Sequence, residues 1–335
     1  MTVKVSVKTR TVPGKFLMII YYTKQSLQFP VVFRNLLLFI LGKGSIIIGK
    51  FNFLGGMKMV IGVIAVLSAI FSALICWGTD ANWLWALPVG FVGCFLGILV
   101  MGFLLILAMS ECVDLDKEQL KDSPFYRAVL YIVADAAHTV LQVRVRTEGM
   151  EKLPSGKALL VCNHLDNVDP VIIMHQVKKK QRLAFIAKKE TATMFVVGKF
   201  MHKLLCQRIN RENDREALKT ILKCIEILKE DKASIAVFPE GGIRGGNVLH
   251  PFRHGVFKIA LRTKVPVVVC TLWGTQNIVH NGLRLKPTDV DFHVLGVIRP
   301  EEYQEMTAVE LGKRAYQMMA EDMGPDRVLP LEETP

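Results

Sequence analysis

Acidic residues are missing from the first 56 positions, which carry eight Lys or Arg, so this stretch holds eight of the formal net charges of +12. The basic excess is therefore local, and the remainder of the chain is close to balanced. Paired cysteines are also lacking. The seven cysteines, at 76, 94, 112, 162, 206, 224 and 270, never form CxxC and mostly sit in apolar runs. That excludes a disulfide framework and a cysteine-based zinc site, and fits reduced thiols in a reducing compartment. No GxSxG elbow occurs, which argues against a serine acyl-enzyme of that type. The Lys and Arg clusters lack interleaved aromatics or a known binding motif, so no nucleic-acid partner is expected. His250 and His254 have ligand-like spacing, but Pro251 between them spoils a regular helix, and neither a metal nor another cofactor is expected. Internal repeats and low-complexity tracts are absent.

What the chain has in abundance is apolar sequence, 51% of its residues. Met59 to Trp77 and Trp83 to Met109 are uncharged apolar runs, separated by Gly78-Thr79-Asp80-Ala81-Asn82. Each is long enough to cross or deeply enter a bilayer. Trp77, Trp83 and Trp85 flank the turn, where indole rings favour a membrane interface. Residues 57–110 are thus expected to be a two-helix membrane segment, with the lipid bilayer as a partner. Lys and Arg before the first run favour a cytoplasmic N-terminal side, and a hairpin returns the chain to that side. The expected location is the cell membrane, with the later residues facing the cytoplasm. Residues 1–56 form a basic apolar arm open to three readings: a stretch lying on anionic lipid through Leu36 to Leu41 and Ile46 to Ile48, an organellar transit segment, or sequence upstream of a start at Met57 or Met59.

Residues 111–139 read as a charged, partly helical connector that leads through the alternating Val140 to Val145 into a domain over 140–335. There, Ala158 to Cys162, Leu183 to Ala187, Ser234 to Phe238 and Val265 to Leu272 are short, rich in β-branched residues and bounded by Gly, Pro or charge, as buried strands are. Between them, Arg215 to Lys229 sets Leu218, Ile221, Leu222, Ile225 and Leu228 on one helical stripe, and a second stripe runs from Val256 to Leu261. The expected fold class is α/β, with a mixed, mostly parallel sheet flanked by helices and preceded by the membrane-associated hairpin. Active sites in such sheets collect at the carboxyl ends of strands.

Polar clusters stand at two of those ends. Asn163-His164-Leu165-Asp166-Asn167-Val168-Asp169-Pro170 contains an imidazole and, five places on, a carboxylate. A neutral imidazole is a suitable base near pH 7, and a carboxylate on its other nitrogen fixes the tautomer and stabilises the imidazolium. The pair needs a bend between its members. Pro170, tolerated in a first helical turn, places a helix start near Asp169. The second strand-end cluster, Phe238-Pro239-Glu240-Gly241-Gly242-Ile243-Arg244, offers glycines that let backbone N–H groups approach an anion, although Pro-Glu-Gly-Gly also makes an ordinary turn. Arg253 and His254 nearby strengthen the anion reading. Between these clusters, Arg208 and Arg211 could fork a phosphate or merely face solvent. Lys178-Lys179-Lys180, Arg182, Lys188 and Lys189 could line a route for an acidic substrate or face anionic lipid.

Asn163-His164 with Asp169, then Arg208, then Phe238-Pro239-Glu240-Gly241 and Val265-Pro266-Val267 resemble, in order and spacing, the four motifs of the glycerolipid acyltransferases, the family of 1-acylglycerol-3-phosphate acyltransferase. The likeness covers about residues 140 to 280, and the paired N-terminal apolar helices are similar to those of bacterial members. It implies an enzyme of phospholipid biosynthesis that transfers an acyl group from acyl-CoA or acyl carrier protein, as co-substrate, to the free hydroxyl of lysophosphatidic acid, giving phosphatidic acid. His164 would deprotonate that hydroxyl while Asp169 holds the ring. Because a thiolate leaves readily, a single direct transfer suffices. Arg208, Glu240 and Gly241, with the adjoining Gly242 and Arg244, would serve the acceptor's glycerol phosphate. Lys188 stands where members often carry a basic residue facing that phosphate, and Pro266 would belong to the acyl side. Two departures bear on the acceptor: Asp166 replaces a common Ser, and Gly242-Ile243 push the arginine one place later, to Arg244. Another acceptor (glycerol 3-phosphate or a lysophospholipid), a thioesterase, or a non-catalytic lipid-binding scaffold are the competing readings.

Overall fold

The computed structural model describes residues 6–12, 15–21, 53–78 and 83–329, apart from 211 and 246. It divides into two units, residues 1–52 and 53–335. In the first, β1 (Ser6–Val12) and β2 (Lys15–Tyr21) pair antiparallel, Val12 opposite Lys15. The apolar runs expected to lie on lipid, within 36–48, fall outside the described residues, as does the turn at 79–82.

Both long apolar runs are helices, α1 (Phe53–Gly78) and α2 (Trp83–Glu111). Within α2, Trp85–Glu111 is 27 residues long and contains an 18-residue stretch of mean hydropathy 2.8 with none of that stretch buried inside the molecule, so by length and composition it can cross a membrane. The described apolar part of α1, Gly62–Gly78, is shorter. The two helices pack against each other, with a polar contact between Ser72 and the helical turn before Gly90. Ser72 Oγ donates to Leu87 O at 2.7 Å, and a Cβ on Gly90 would stand 2.6 Å from that same hydroxyl oxygen. A small residue facing a hydroxyl is how apolar helices gain a polar contact without a hydrophobic driving force between them.

The connector contains α3 (Pro124–Val140). Its Arg127 is buried and ion-paired with Asp122 at 2.7 Å, and it also donates to Leu183 O at 3.1 Å, which ties the helix to the sheet. Tyr126 OH donates to Met109 O at 3.0 Å, so the end of α2 is fastened to the same helix.

In the domain the chain runs β3 (Val143–Glu148), β4 (Leu159–Cys162), α4 (Asp169–Val177), β5 (Leu183–Lys188), α5 (Phe195–Lys203), β6 (Gln207–Ile209), α6 (Asp214–Lys229), β7 (Ser234–Val237), α7 (Lys258–Thr263), β8 (Val267–Trp273), α8 (Ile278–Leu283), β9 (Thr288–Ile298) and α9 (Ala308–Met323). Seven strands form one sheet in the order β3-β9-β8-β4-β7-β5-β6. The five from β8 to β6 are mutually parallel, whereas β9 runs antiparallel to β8 and carries β3 parallel to itself. A mixed, mostly parallel sheet was expected, and this is one.

Alternation along the central strands builds two cores. Leu159, Val161, Ile235, Val237, Val267 and Val269 face α6, α7 and α9. Leu160, Cys162, Ala236, Val268 and Cys270 face the opposite way, toward α4. Burial pushes the thiols of Cys162, Cys206, Cys224 and Cys270 upward, Cys206 to about 11, so these are inert packing groups.

Helix α6 starts where Asn213 accepts from the N–H groups of Arg215 and Glu216, with Asp214 and Glu216 in the first turn and Lys229 in the last. The expected stripe needs correction. Thr220, Ile221, Cys224, Ile225, Ile227 and Leu228 are buried, whereas Leu218 and Leu222 are half exposed. Polar Thr220 enters the buried face because its hydroxyl donates to Arg208 O at 2.7 Å. In the second expected stripe, a short 3-10 turn over His254–Phe257 precedes α7, and Phe257, Ile259 and Ala260 are the buried members.

Candidate active site

Strand β4 ends at Cys162, and the next residue, Asn163, sets the course of the chain beyond it. Its buried amide donates to Leu272 O at 2.8 Å and accepts from Leu272 N at 2.7 Å, so the side chain extends the pairing of β4 with β8. The chain then bends, and α4 begins at Asp169 with Pro170 in its first turn. The bend brings His164 Nδ1 to 2.9 Å from Asp169 Oδ2. Asp169 is fully buried, and the same oxygen accepts from Leu165 N at 2.7 Å and Asp166 N at 2.9 Å. With Nδ1–H directed at a carboxylate, the imidazole keeps its lone pair on Nε2. The ring lies flat on Phe238, centroids 4.0 Å apart and planes 9° from parallel, and retains 14% side-chain exposure. It is therefore held at two points without being sealed off.

Glu240 completes the bend from the neighbouring strand end. It is 1% exposed; Oε1 accepts from His164 N at 2.7 Å and Oε2 from His250 N at 2.9 Å. Burial drives its carboxyl up to about 7, against the pull of those two amides and of Arg244. Both oxygens are committed to backbone, so Glu240 acts as a brace between the His164 bend and the loop at 250. The acceptor contact that the resemblance implied would have to use the remaining lone pairs of a side chain that is 1% exposed.

Gly241 adopts φ +82°, and a Cβ there would meet Arg253 Nε at 2.8 Å and Cδ at 2.9 Å. Arg253 in turn donates its backbone N–H to Pro239 O at 2.8 Å. Glycine suits the positive φ, and a larger residue would also have to displace the Arg253 side chain that lies on the turn. A cavity of about 450 Å³ opens beside it, lined by Phe238, Pro239, Gly241 and Arg253, by Asp214 and Lys258, and by aliphatic side chains including Ile186, Ile209 and Val256. Phe238 links this space to the ring of His164.

The other expected basic residues lie apart from that cavity. Lys188 is exposed at the end of β5 and 3.6 Å from Glu190. Arg208 is exposed and lines a separate cavity of about 260 Å³ with Glu118, His202 and Lys223, because on β6 it points opposite to Ile209. Arg244 is exposed on the loop beyond Gly242. Arg211 falls outside the described residues. Asp166 turns its carboxylate into its own loop, accepting from Val168 N at 3.1 Å. Pro266 sits just before β8, where its carbonyl accepts from Leu159 N at 3.0 Å. That is the opposite end of the sheet from His164, so it cannot touch the site directly. His250 Nε2 meets Gly245 O at 3.1 Å, and the described residues contain no cluster of His, Cys, Asp or Glu fit to hold a metal.

Sequence reasoning missed Asn163 as a clamp, Phe238 as a platform, and Lys258 and Asp214 as cavity residues. Arg253, expected near the anion turn, lines the cavity. The loop from 240 to 254 is further held by the chain near its other end: Leu249 N donates to Arg327 O at 2.8 Å, and Leu329 N donates to Leu249 O at 3.1 Å.

Known proteins share parts of this sequence and this fold. Residues 144–273 match the Acyltransferase family. A 1-acyl-sn-glycerol-3-phosphate acyltransferase of Cocos nucifera is 26% identical over 229 residues, 68% of this chain and 72% of that protein. A probable 1-acyl-sn-glycerol-3-phosphate acyltransferase of Mycoplasma pneumoniae is 30% identical over 152 residues, 44% of this chain and 56% of its own length. The crystal structure of the 1-acyl-sn-glycerophosphate acyltransferase PlsC from Thermotoga maritima shares the fold, with a TM-score of 0.51 and 22% identity, covering 78% of this chain and 95% of that one.

Proposed function

We propose, from the premise that this chain is an enzyme like the 1-acyl-sn-glycerol-3-phosphate acyltransferases, that it transfers an acyl group from a thioester to the free hydroxyl of lysophosphatidic acid with His164 as general base. The observation that carries the mechanism is the 2.9 Å contact between His164 Nδ1 and the buried Asp169. The acceptor hydroxyl gives its proton to Nε2, its oxygen attacks the thioester carbon of acyl-CoA or acyl carrier protein, the thiolate leaves, and the ester of phosphatidic acid forms. Asp169 stabilises the imidazolium, which then returns the proton to the thiolate. No covalent acyl-enzyme is required. The cavity beside Gly241 suits the acceptor: Arg253 and Lys258 supply positive charge for a phosphate, and the aliphatic wall accepts hydrocarbon. Helices α1 and α2 hold the domain at the cytoplasmic face of the membrane, where such an acceptor resides.

A panel of acceptors with one acyl donor tests the reading. Lysophosphatidic acid should release thiol and yield phosphatidic acid, whereas thiol release indifferent to acceptor would replace transfer with hydrolysis.

A further inference from the structure

Leu283 and Leu285 are 83% and 78% exposed, more than any other aliphatic side chain among the described residues. They alternate with exposed Arg284 and Lys286 in a knuckle that begins at the last residue of α8. The exposure is not slack. Leu285 holds φ +54°, a conformation that side chains other than glycine and asparagine rarely adopt. It is pinned by Leu285 N to Gly282 O at 3.1 Å, Lys286 N to Asn281 O at 2.9 Å and Gln142 Nε2 to Leu285 O at 3.2 Å. A backbone braced in an unusual shape to keep two leucines in solvent has a surface to meet.

The knuckle's place in the fold identifies that surface. Strand β8 runs toward the edge that holds His164, and β9 starts back from it with Thr288 opposite Val143 of β3. The knuckle between them lies at the His164 edge, on the β8–β9–β3 flank, where Gly282 packs on Leu141, whose chain neighbour Val140 is 67% exposed. On the opposite flank, past β5, Met194 and Phe195 are more than half exposed at the start of α5. Helix α5 is joined to the end of the membrane helix α2 by Lys199 and Glu111 at 3.1 Å. The strands that carry His164 and Glu240, β4 and β7, lie between these two apolar projections in the sheet.

We propose that residues 279–286 form a second membrane contact, with Leu283 and Leu285 entering the acyl region of a leaflet containing anionic phospholipid and Arg284 and Lys286 meeting its headgroup phosphates. Alternating aliphatic and basic side chains suit the boundary between acyl chains and anionic headgroups. The contact is separate from α1 and α2, and it lays the His164 edge on the lipid surface.

The test uses the full chain in phosphatidylglycerol-containing vesicles, with an environment-sensitive fluorescent amino acid placed at 283 or, as a control, at Val309. Val309 is exposed on α9, beyond the opposite edge of the sheet. Emission at 283 should shift to the blue and be quenched several-fold more than at 309 by lipids carrying a quencher at glycerol depth. Equal, water-like emission at the two positions overturns the proposal. So does shielding at 283 that lipid quenchers leave untouched, which would indicate a protein partner such as a second copy. Arg284→Gln with Lys286→Gln should reduce the quenching to that seen in purely zwitterionic vesicles, and an unchanged response overturns the headgroup assignment. This readout needs no substrate, so its failure leaves acyl transfer standing.

Discussion

The His164 bend and the basic residues around it are built differently. In the bend, every polar group that matters is buried or held: three donors converge on one oxygen of Asp169, both oxygens of Glu240 accept backbone N–H groups, and Asn163 bonds twice to β8. Lys188, Arg208 and Arg244 are exposed at strand ends and loops. The His164–Asp169 pair is pre-organised, whereas the basic residues expected at a phosphate are not. Fixed geometry matters most where a proton must pass within hydrogen-bond reach. Charge that gathers an anionic acceptor tolerates looser placement, since it acts over longer distances.

The sharpest way to break this contrast is His164→Ala, which should lower kcat by about 10³-fold with an unchanged far-ultraviolet circular dichroism spectrum. Activity within tenfold of the parent would remove the base from the mechanism. Asp169→Asn should come next. Its amide oxygen can keep the three N–H bonds, but the amide NH2 then takes the buried, unpartnered place of Oδ1 and the negative charge is lost, so about 1–3 kcal/mol of stability should go together with most of kcat. Urea melts and initial rates on the same preparation check both.

Glu240→Gln probes the brace. Because burial raises this carboxyl to about 7 from an ordinary 4.5, the folded state binds its proton more tightly than the unfolded state does. The native protein should therefore lose stability relative to the Gln variant as pH rises from about 4.5 to 7. Melts at pH 5 and pH 8 read the change in that difference, and a difference independent of pH would contradict the assigned burial. The smallest effects belong to the basic residues proposed to meet the phosphate. Arg253→Ala should raise KM for lysophosphatidic acid about tenfold at nearly constant kcat, while Arg208→Ala should change it less than about threefold. The reverse order in acceptor titrations would move the headgroup from the cavity beside Gly241 to the one beside His202.

What was legible in the sequence was local. His164 and Asp169 are five residues apart and bounded by a strand and a proline, so their meeting comes from one bend. The strand ends and the flanking helices come from runs of β-branched residues and from amphipathic spacing. The missed parts join distant segments: Asn163 to Leu272, Glu240 to both His164 and His250, and Arg253 to Gly241. Local pattern does not encode which strand will lie beside which, and so it did not show that Glu240 would use both oxygens on backbone. The motif order grouped Arg208 with Glu240 and Gly241, whereas in the fold β-strand alternation sets Arg208 on a separate cavity from the one that Ile209 lines. The stripe on α6 failed at Leu218 and Leu222 for a related reason, since apolar spacing does not reveal that Thr220 would bury its hydroxyl on Arg208 O.

The pairing of Leu249 with residues 327–329 also sets an order of events during synthesis. His164 and Asp169 leave the ribosome long before the residues that close the loop bearing Glu240 and Arg253. A nascent chain lacking those partners should already pair His164 with Asp169 while the 240–254 loop is untethered at Leu249, so the full bracing of the His164 bend is expected only after Arg327 and Leu329 have docked.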